Sequence, residues 1–246
     1  MAGHSKWANI KAKKSKTDAA RAHIFTKIGR EIAVAVKMGG PDPENNSRLR
    51  DVIAKAKQNN MPNDNILRSI KKASGELNSV NYEEMMYEGY APGGVAVIVE
   101  ALTDNKNRTA GDIRHLFDKY GGSLGSTGCV SYLFNRKGVL IVEKTDKTED
   151  DIMVISLEAE ADDIIAADDA YEIYTSPQNL ENARKVFADA GLNILSSSVE
   201  YIPDMYIDPP QDNISSIQKL LEKLEENDDV QNVYHNANLP EEVEEE

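Results

Sequence analysis

Cysteine is almost missing from this chain: Cys129 is the only one among 246 residues. No internal disulfide can form, and the composition suits a reducing compartment. Histidine is sparse and scattered, with His4, His23, His115 and His235 far apart in sequence. A zinc site needs its ligands grouped, so no metal or other cofactor is expected. Nowhere does an apolar run reach the roughly 18 residues that cross a bilayer. The chain opens on His4-Ser5-Lys6-Trp7 instead of the apolar stretch of a secretory signal, so a cytoplasmic protein without a membrane partner is expected. Positive charge is also short on average, with 28 Lys and Arg against 42 Asp and Glu and a net charge of −14.

The distribution of charge contradicts that average. Residues 1–79 hold sixteen Lys and Arg against seven Asp and Glu, whereas the remaining 167 residues hold twelve against thirty-five. Counterion release depends on local phosphate contacts rather than on global charge. The amino-terminal pole is therefore a candidate polyphosphate-binding surface on an otherwise acidic molecule.

Within that pole, Lys6, Lys11, Lys13, Lys14 and Lys16 stand among almost no apolar residues. Such a segment cannot bury a core and reads as an arm that orders on a partner. Trp7 can stack on a base or pin the arm to its own domain. From Thr17 or Asp18 to about Lys37 a helix is expected, with Ile24, Ile28, Ile32 and Val36 forming one stripe and Lys27, Arg30 and Lys37 on the other side. Arg21 belongs to the same basic run. Gly39-Gly40-Pro41 should end it. A second helix over about 44–59 would bury Leu49, Val52, Ile53 and Ala56, flanked by Arg48 and Lys55 on one edge and Arg50 and Lys57 on the other. A third, about 63–73, would bury Ile66, Leu67 and Ile70 and expose Arg68, Lys71 and Lys72.

From residue 78 the period changes. Tyr82–Tyr90 and Val95–Leu102, separated by Ala91-Pro92-Gly93-Gly94, read as an antiparallel pair. Thr109 with Asp112 resembles a capping box for a helix to Tyr120, and Cys129–Asn135 reads as a strand. The glycine-rich run 121–128 follows a helix and precedes a strand, the reverse of a phosphate cradle, so turn geometry explains it. Next come a strand at Gly138–Lys144, a helix at Glu149–Ala159, strands at Asp163–Ala166 and Tyr171–Thr175, a helix at Leu180–Ala190 and a strand at Ser196–Ile202. That order, βαββαβ, is ferredoxin-like. A helix over about 213–226 and a strand over 230–236 can return to the earlier sheet, which makes the ferredoxin-like unit an insertion. The expected organisation is α+β: residues 1–79 an arm and helical bundle, 80–135 with 205–240 a second domain, 136–204 the inserted domain, and 241–246 an acidic tail.

Several long segments carry a resemblance. Met1-Ala2-Gly3-His4-Ser5-Lys6-Trp7-Ala8-Asn9-Ile10-Lys11, Ile24-Phe25-Thr26-Lys27, Asn60-Met61-Pro62 with Asp64-Asn65-Ile66, Gly89-Tyr90-Ala91-Pro92-Gly93-Gly94 and Thr103-Asp104-Asn105-Lys106-Asn107-Arg108-Thr109 resemble the YebC family over nearly the whole chain. Ala12 stands where that family usually has His, which removes one phosphate donor, and Ala91 where it usually has a second glycine. The resemblance implies a helical first domain and two α/β domains, the third ferredoxin-like and inserted in the second. It also implies a role in gene expression, either as a cytoplasmic DNA-binding transcriptional regulator or as a ribosome-associated translation factor that assists difficult peptides such as proline-rich stretches. It adds Lys106 and Arg108 as a second candidate contact.

The expected function is that of a non-catalytic nucleic-acid-binding regulator, contacting DNA or ribosomal RNA through Lys6, Trp7, Lys11, Lys13, Lys14, Lys16, Arg21, Lys27, Arg30, Lys106 and Arg108. Few of these side chains suit base-edge reading, so affinity should exceed sequence specificity. Two other classes have distinct signatures. A hydrolase would use the Asp162/Asp163 or Asp168/Asp169 carboxylates in a cleft with a raised pKa. A protein adaptor would work through the acidic domains without the basic pole.

Overall fold

The computed structural model describes residues 18–75 and 80–240. Among them are seven helices and two four-stranded antiparallel sheets, an α+β architecture. Two compact units divide the described residues, one formed by residues 18–132 with Ile207–Ala237 and the other by Leu133–Tyr206 with residues 238–240. The lysines of the arm, Trp7 and the acidic tail lie outside the described residues.

Three helices begin the first unit: α1 (Asp18–Gly39), α2 (Ser47–Gln58) and α3 (Asn63–Ser74). The apolar stripe of α1 does what its spacing dictates, and Ile28, Ile32 and Val36 pack with Leu49, Val52, Ala56, Met61 and Ile66. Beyond α1 the backbone turns through Gly40 at φ +84°. Asn46 follows, and its amide donates to Ala35 O and Gly40 O, both at 2.8 Å, while its carbonyl accepts from Leu49 N at 3.0 Å. That cap starts α2 at Ser47, not near Glu44 as expected, because Asp42 and Glu44 close a separate turn. A Cβ on Gly39 would meet the Asn46 side chain at 2.7 Å, so this crossing requires glycine. Leu67, expected inside, is 63% exposed; Ile66 and Ile70 already fill the inner side of α3.

The sheet of this unit has the order β3-β1-β2-β8, from β1 (Glu83–Ala91), β2 (Val95–Thr103), β3 (Ser123–Leu124) and β8 (Val230–His235). β1 and β2 pair in register from Glu83↔Thr103 to Ala91↔Val95. β8 returns across the sequence and pairs antiparallel with β2, Ile98 opposite Tyr234. Two helices complete the unit: α4 (Lys106–Lys119), burying Ile113 and Phe117, and α7 (Gln211–Glu226), burying Ile217, Leu220 and Leu224. The expected Thr109/Asp112 cap does not form. Asn105 caps α4 instead, accepting from Arg108 N at 3.1 Å, and the chain enters the helix four residues earlier than Thr109 would allow.

The second unit runs β4 (Phe134–Glu143), α5 (Glu149–Glu158), β5 (Asp163–Ala166), β6 (Ala170–Thr175), α6 (Leu180–Asp189) and β7 (Ile194–Pro203). Its strands lie in the order β5-β6-β4-β7, the ferredoxin-like arrangement. Leu140, Val142, Tyr171 and Ile173 from one sheet face pack with Ile152 of α5 and Phe187 of α6, so both helices cover that face. The strand expected at Cys129–Asn135 is instead a single helical turn at Ser131–Leu133, after which β4 runs ten residues without a break. Lys137 and Arg136, which interrupt the apolar pattern, are absorbed at the strand by Asp162 and the Tyr201 ring.

Candidate nucleic-acid interface

Of the four cationic side chains of α1, Lys27, Arg30 and Lys37 bond to other elements of the same unit. Arg21 is exposed near the start of the helix. Lys27 donates its ammonium to the carbonyl of Glu225 at the end of α7. Arg30 pairs with Asp229, donates to Leu102 O at 3.1 Å and lies 5.5 Å from the Tyr82 ring. Lys37 donates to Asn81 Oδ1 at 2.7 Å, and His23 Nδ1 lies 2.7 Å from Asp228 Oδ1. The side of α1 opposite its apolar stripe is therefore bonded to protein at His23, Lys27, Arg30 and Lys37, with His23 and Lys37 still exposed to solvent.

Asp229 is the centre of these contacts. Its carboxylate is buried and receives Arg30, Arg108 Nη2 at 2.8 Å and Thr109 Oγ1 at 2.6 Å. Burial alone would raise the pKa of such a carboxyl. The hydrogen bonds from Thr109, Arg108 and Arg30 outweigh burial and hold it at about 2. Arg108 in turn also pairs with Asp104 at 2.8 Å, and both partners push its pKa further up. Lys106, at the start of α4, pairs with Glu83 at 2.6 Å on an open surface. Thr103, Arg108 and Thr109 thus clasp one carboxylate that lies at least 120 residues away in sequence.

The cations of α2 and α3 divide into paired and unpaired ones. On α2, Arg48 pairs with Glu84 and Lys55 with Glu31 at 2.6 Å. Arg50 and Lys57, seven residues apart and so on one edge, are exposed without an ion pair among the described residues. On α3, Arg68, Lys71 and Lys72 lie opposite the buried Ile66 and are likewise exposed and unpaired among the described residues. Sequence reasoning placed these five on helix edges but did not select them. Their angular distance from the apolar stripe was the available signal.

The glycine-rich run after α4 closes a small anion nest, and the protein fills it with its own carboxylate. Glu88, fully buried in β1, accepts from Gly128 N, Val130 N and Ser131 N at 2.8, 2.9 and 2.8 Å. Burial raises its pKa, and the three amides more than reverse that and set it below the ordinary value. Beside it, burial and the Glu88 charge push the Cys129 thiol up, away from the thiolate a nucleophile needs. Among the described residues no group of three or more His, Cys, Asp or Glu could hold a metal ion. Asp162 pairs with Lys137 at 2.6 Å, and Asp163 caps its own strand by accepting Ile164 N. No described helix is long and apolar enough to cross a membrane.

Residues 5–76 match the model of the TACO1/YebC protein N-terminal domain, and residues 82–237 that of the TACO1/YebC second and third domain. A "Probable transcriptional regulatory protein" of Acetivibrio thermocellus is 59% identical over 240 residues, covering 96% of this chain and 98% of its own length. A similarly named protein of Hathewaya histolytica is 56% identical over 242 residues, covering 98% of both. The crystal structure of a conserved hypothetical protein from Aquifex aeolicus superposes with a TM-score of 0.83 at 44% identity, over 94% of this chain and 96% of that one. Since the two family models between them cover the helical bundle and both sheets, and the relatives match end to end, this chain belongs to the TACO1/YebC family.

Proposed function

We propose that the protein is a non-catalytic, nucleic-acid-binding regulator of gene expression, acting in the cytoplasm as a DNA-binding transcriptional regulator. The observation that carries this reading is the sorting of its cations. Arg50, Lys57, Arg68, Lys71 and Lys72 remain exposed and unpaired on the outer sides of α2 and α3, where a polyphosphate can reach them without breaking an internal bond. The arm lysines Lys6, Lys11, Lys13, Lys14 and Lys16, with Trp7 and Arg21, extend the same positive pole in sequence. Lys27, Arg30, Lys106 and Arg108 are assigned a different part: they hold the helical bundle and α4 to the sheet that orients the pole. In this reading residues 1–79 form the binding domain. Residues 80–135 with 205–240, and 136–204, form two acidic domains that discourage nonspecific wrapping.

The relatives' printed names support a regulator. Duplex DNA and ribosomal RNA present the same phosphate chemistry, so the deciding experiment holds salt constant. The purified protein is tested for retention on duplex DNA and for co-sedimentation with ribosomes at one ionic strength. Tighter retention on the duplex supports the proposal; retention by ribosomes alone replaces it with a translation role. Lys13→Glu with Lys14→Glu should weaken binding and flatten log K against log salt by about one unit per lost phosphate contact. An unchanged slope removes the arm from the interface.

A further inference from the structure

The two helices of the ferredoxin-like unit differ on their outer sides. α6 shows solvent Glu181, Asn182, Lys185 and Asp189, as a surface helix ordinarily does. α5 is apolar on both sides. Ile152 and Ile155 face the sheet, while Met153, Val154 and Leu157 are 57%, 58% and 73% exposed. At 100° per residue these three and Asp150 share a sector about 100° wide, opposite Ile152. A helix hydrophobic all round belongs in an interior; here half of it faces water.

The carboxylates around this strip select what can cover it. Glu149, Asp150, Glu158 and Glu160 are exposed and without an ion pair among the described residues. Asp151 is already engaged in the Thr148 cap, with Lys147 beside it. A second copy docked face to face would set these four carboxylates against four more, which like-charge repulsion opposes. An anionic lipid surface meets the same repulsion. A segment with apolar side chains flanked by Lys or Arg satisfies both features at once.

We propose that the outer side of α5 is a docking site for a basic amphipathic helix of a partner protein. Met153, Val154 and Leu157 anchor it, and Glu149, Asp150, Glu158 and Glu160 fix its orientation. The site lies in the second unit and does not depend on the nucleic-acid reading of the first. Every anchor side chain is solvent-exposed, so substitution there leaves the core intact.

The test uses the full chain and two fluorescein-labelled Leu/Lys peptides of one composition, one ordered to form an amphipathic helix and one scrambled. Fluorescence anisotropy should show the amphipathic peptide binding at least about tenfold tighter than the scrambled one. Val154→Ser with Leu157→Ser should abolish that preference without moving the thermal midpoint. Asp150→Asn with Glu158→Gln should weaken both peptides and reduce their salt dependence. Equal binding of the two peptides, or a preference that survives the serine pair, overturns the proposal. Self-association that disappears in the serine pair assigns the strip to a second copy, and retention on phosphatidylserine vesicles assigns it to a membrane; either result also overturns it.

Discussion

Two sets of cations, both in the basic amino-terminal region and both on helix surfaces, behave differently. Lys27, Arg30 and Lys37 of α1 bond to Glu225, Leu102, Asn81 and Asp229 of the same unit. Arg50 and Lys57 of α2 and Arg68, Lys71 and Lys72 of α3 have no ion pair among the described residues. A lysine or arginine count cannot separate the sets, because both contribute equally to local net charge. Desolvation and partner geometry do. A guanidinium with a buried carboxylate is part of the fold, whereas a solvated one retains its counterions until a polyphosphate displaces them.

The largest effect should come from removing the shared partner of the paired set. Asp229→Ala leaves Arg30 without its carboxylate in a site that is mostly buried, so unfolding free energy should drop by about 3 kcal/mol. Urea denaturation measures this. The salt slope of nucleic-acid binding, measured below the new melting temperature, should not change. A large slope change would mean that the paired set also meets phosphate.

Acid should produce a smaller version of the same loss. The Asp229 carboxyl sits at about 2, depressed from 3.8, so its contribution is complete above pH 4 and fades as pH falls toward 2. The difference amounts to about 2 kcal/mol. Thermal midpoints recorded from pH 5 to pH 2 should fall more steeply for the parent chain than for Asp229→Asn, which has no proton to gain there.

Neutralising the free set should affect binding alone. Arg68→Gln, Lys71→Gln and Lys72→Gln together should reduce duplex affinity about tenfold at moderate salt and lower the slope by up to about three. Circular dichroism melts should be unchanged. Arg30→Gln should do the reverse, lowering the melt with little change in slope. The smallest effect belongs to α2's exposed pair: Arg48→Gln removes a partner of Glu84 on an open surface and should cost under about 0.5 kcal/mol.

Much of the architecture could be read from residue order. The Ile28, Ile32, Val36 stripe marks α1 because apolar spacing reports burial directly, and the ferredoxin-like element order follows from alternating periods and turn residues. The allocation of cations could not be read this way. Arg30 and Asp229 are separated by 199 residues, and no local pattern couples them. Thr109 looked like a helix cap because Asp112 stands three residues on. Its hydroxyl is instead recruited by the same distant carboxylate, and Asn105 caps α4 in its place. Leu67 misled for a simpler reason: Ile66, Ile70 and Ala73 already fill the contact of α3 with the bundle.

The path of the chain gives Asp229 a role in time as well as in space. β8 is the last strand among the described residues and completes the sheet whose Leu102 carbonyl accepts from Arg30, with the whole ferredoxin-like unit emerging between them. During synthesis the helical bundle can form early from its own local contacts, but Arg30 and Arg108 must wait for most of the polypeptide before their shared counterion arrives. A nascent chain halted before residue 229 would therefore leave Arg30 without its carboxylate, while Arg108 would keep only Asp104. Only when residue 229 has emerged can the clasp of Arg30, Arg108 and Thr109 close on its carboxylate.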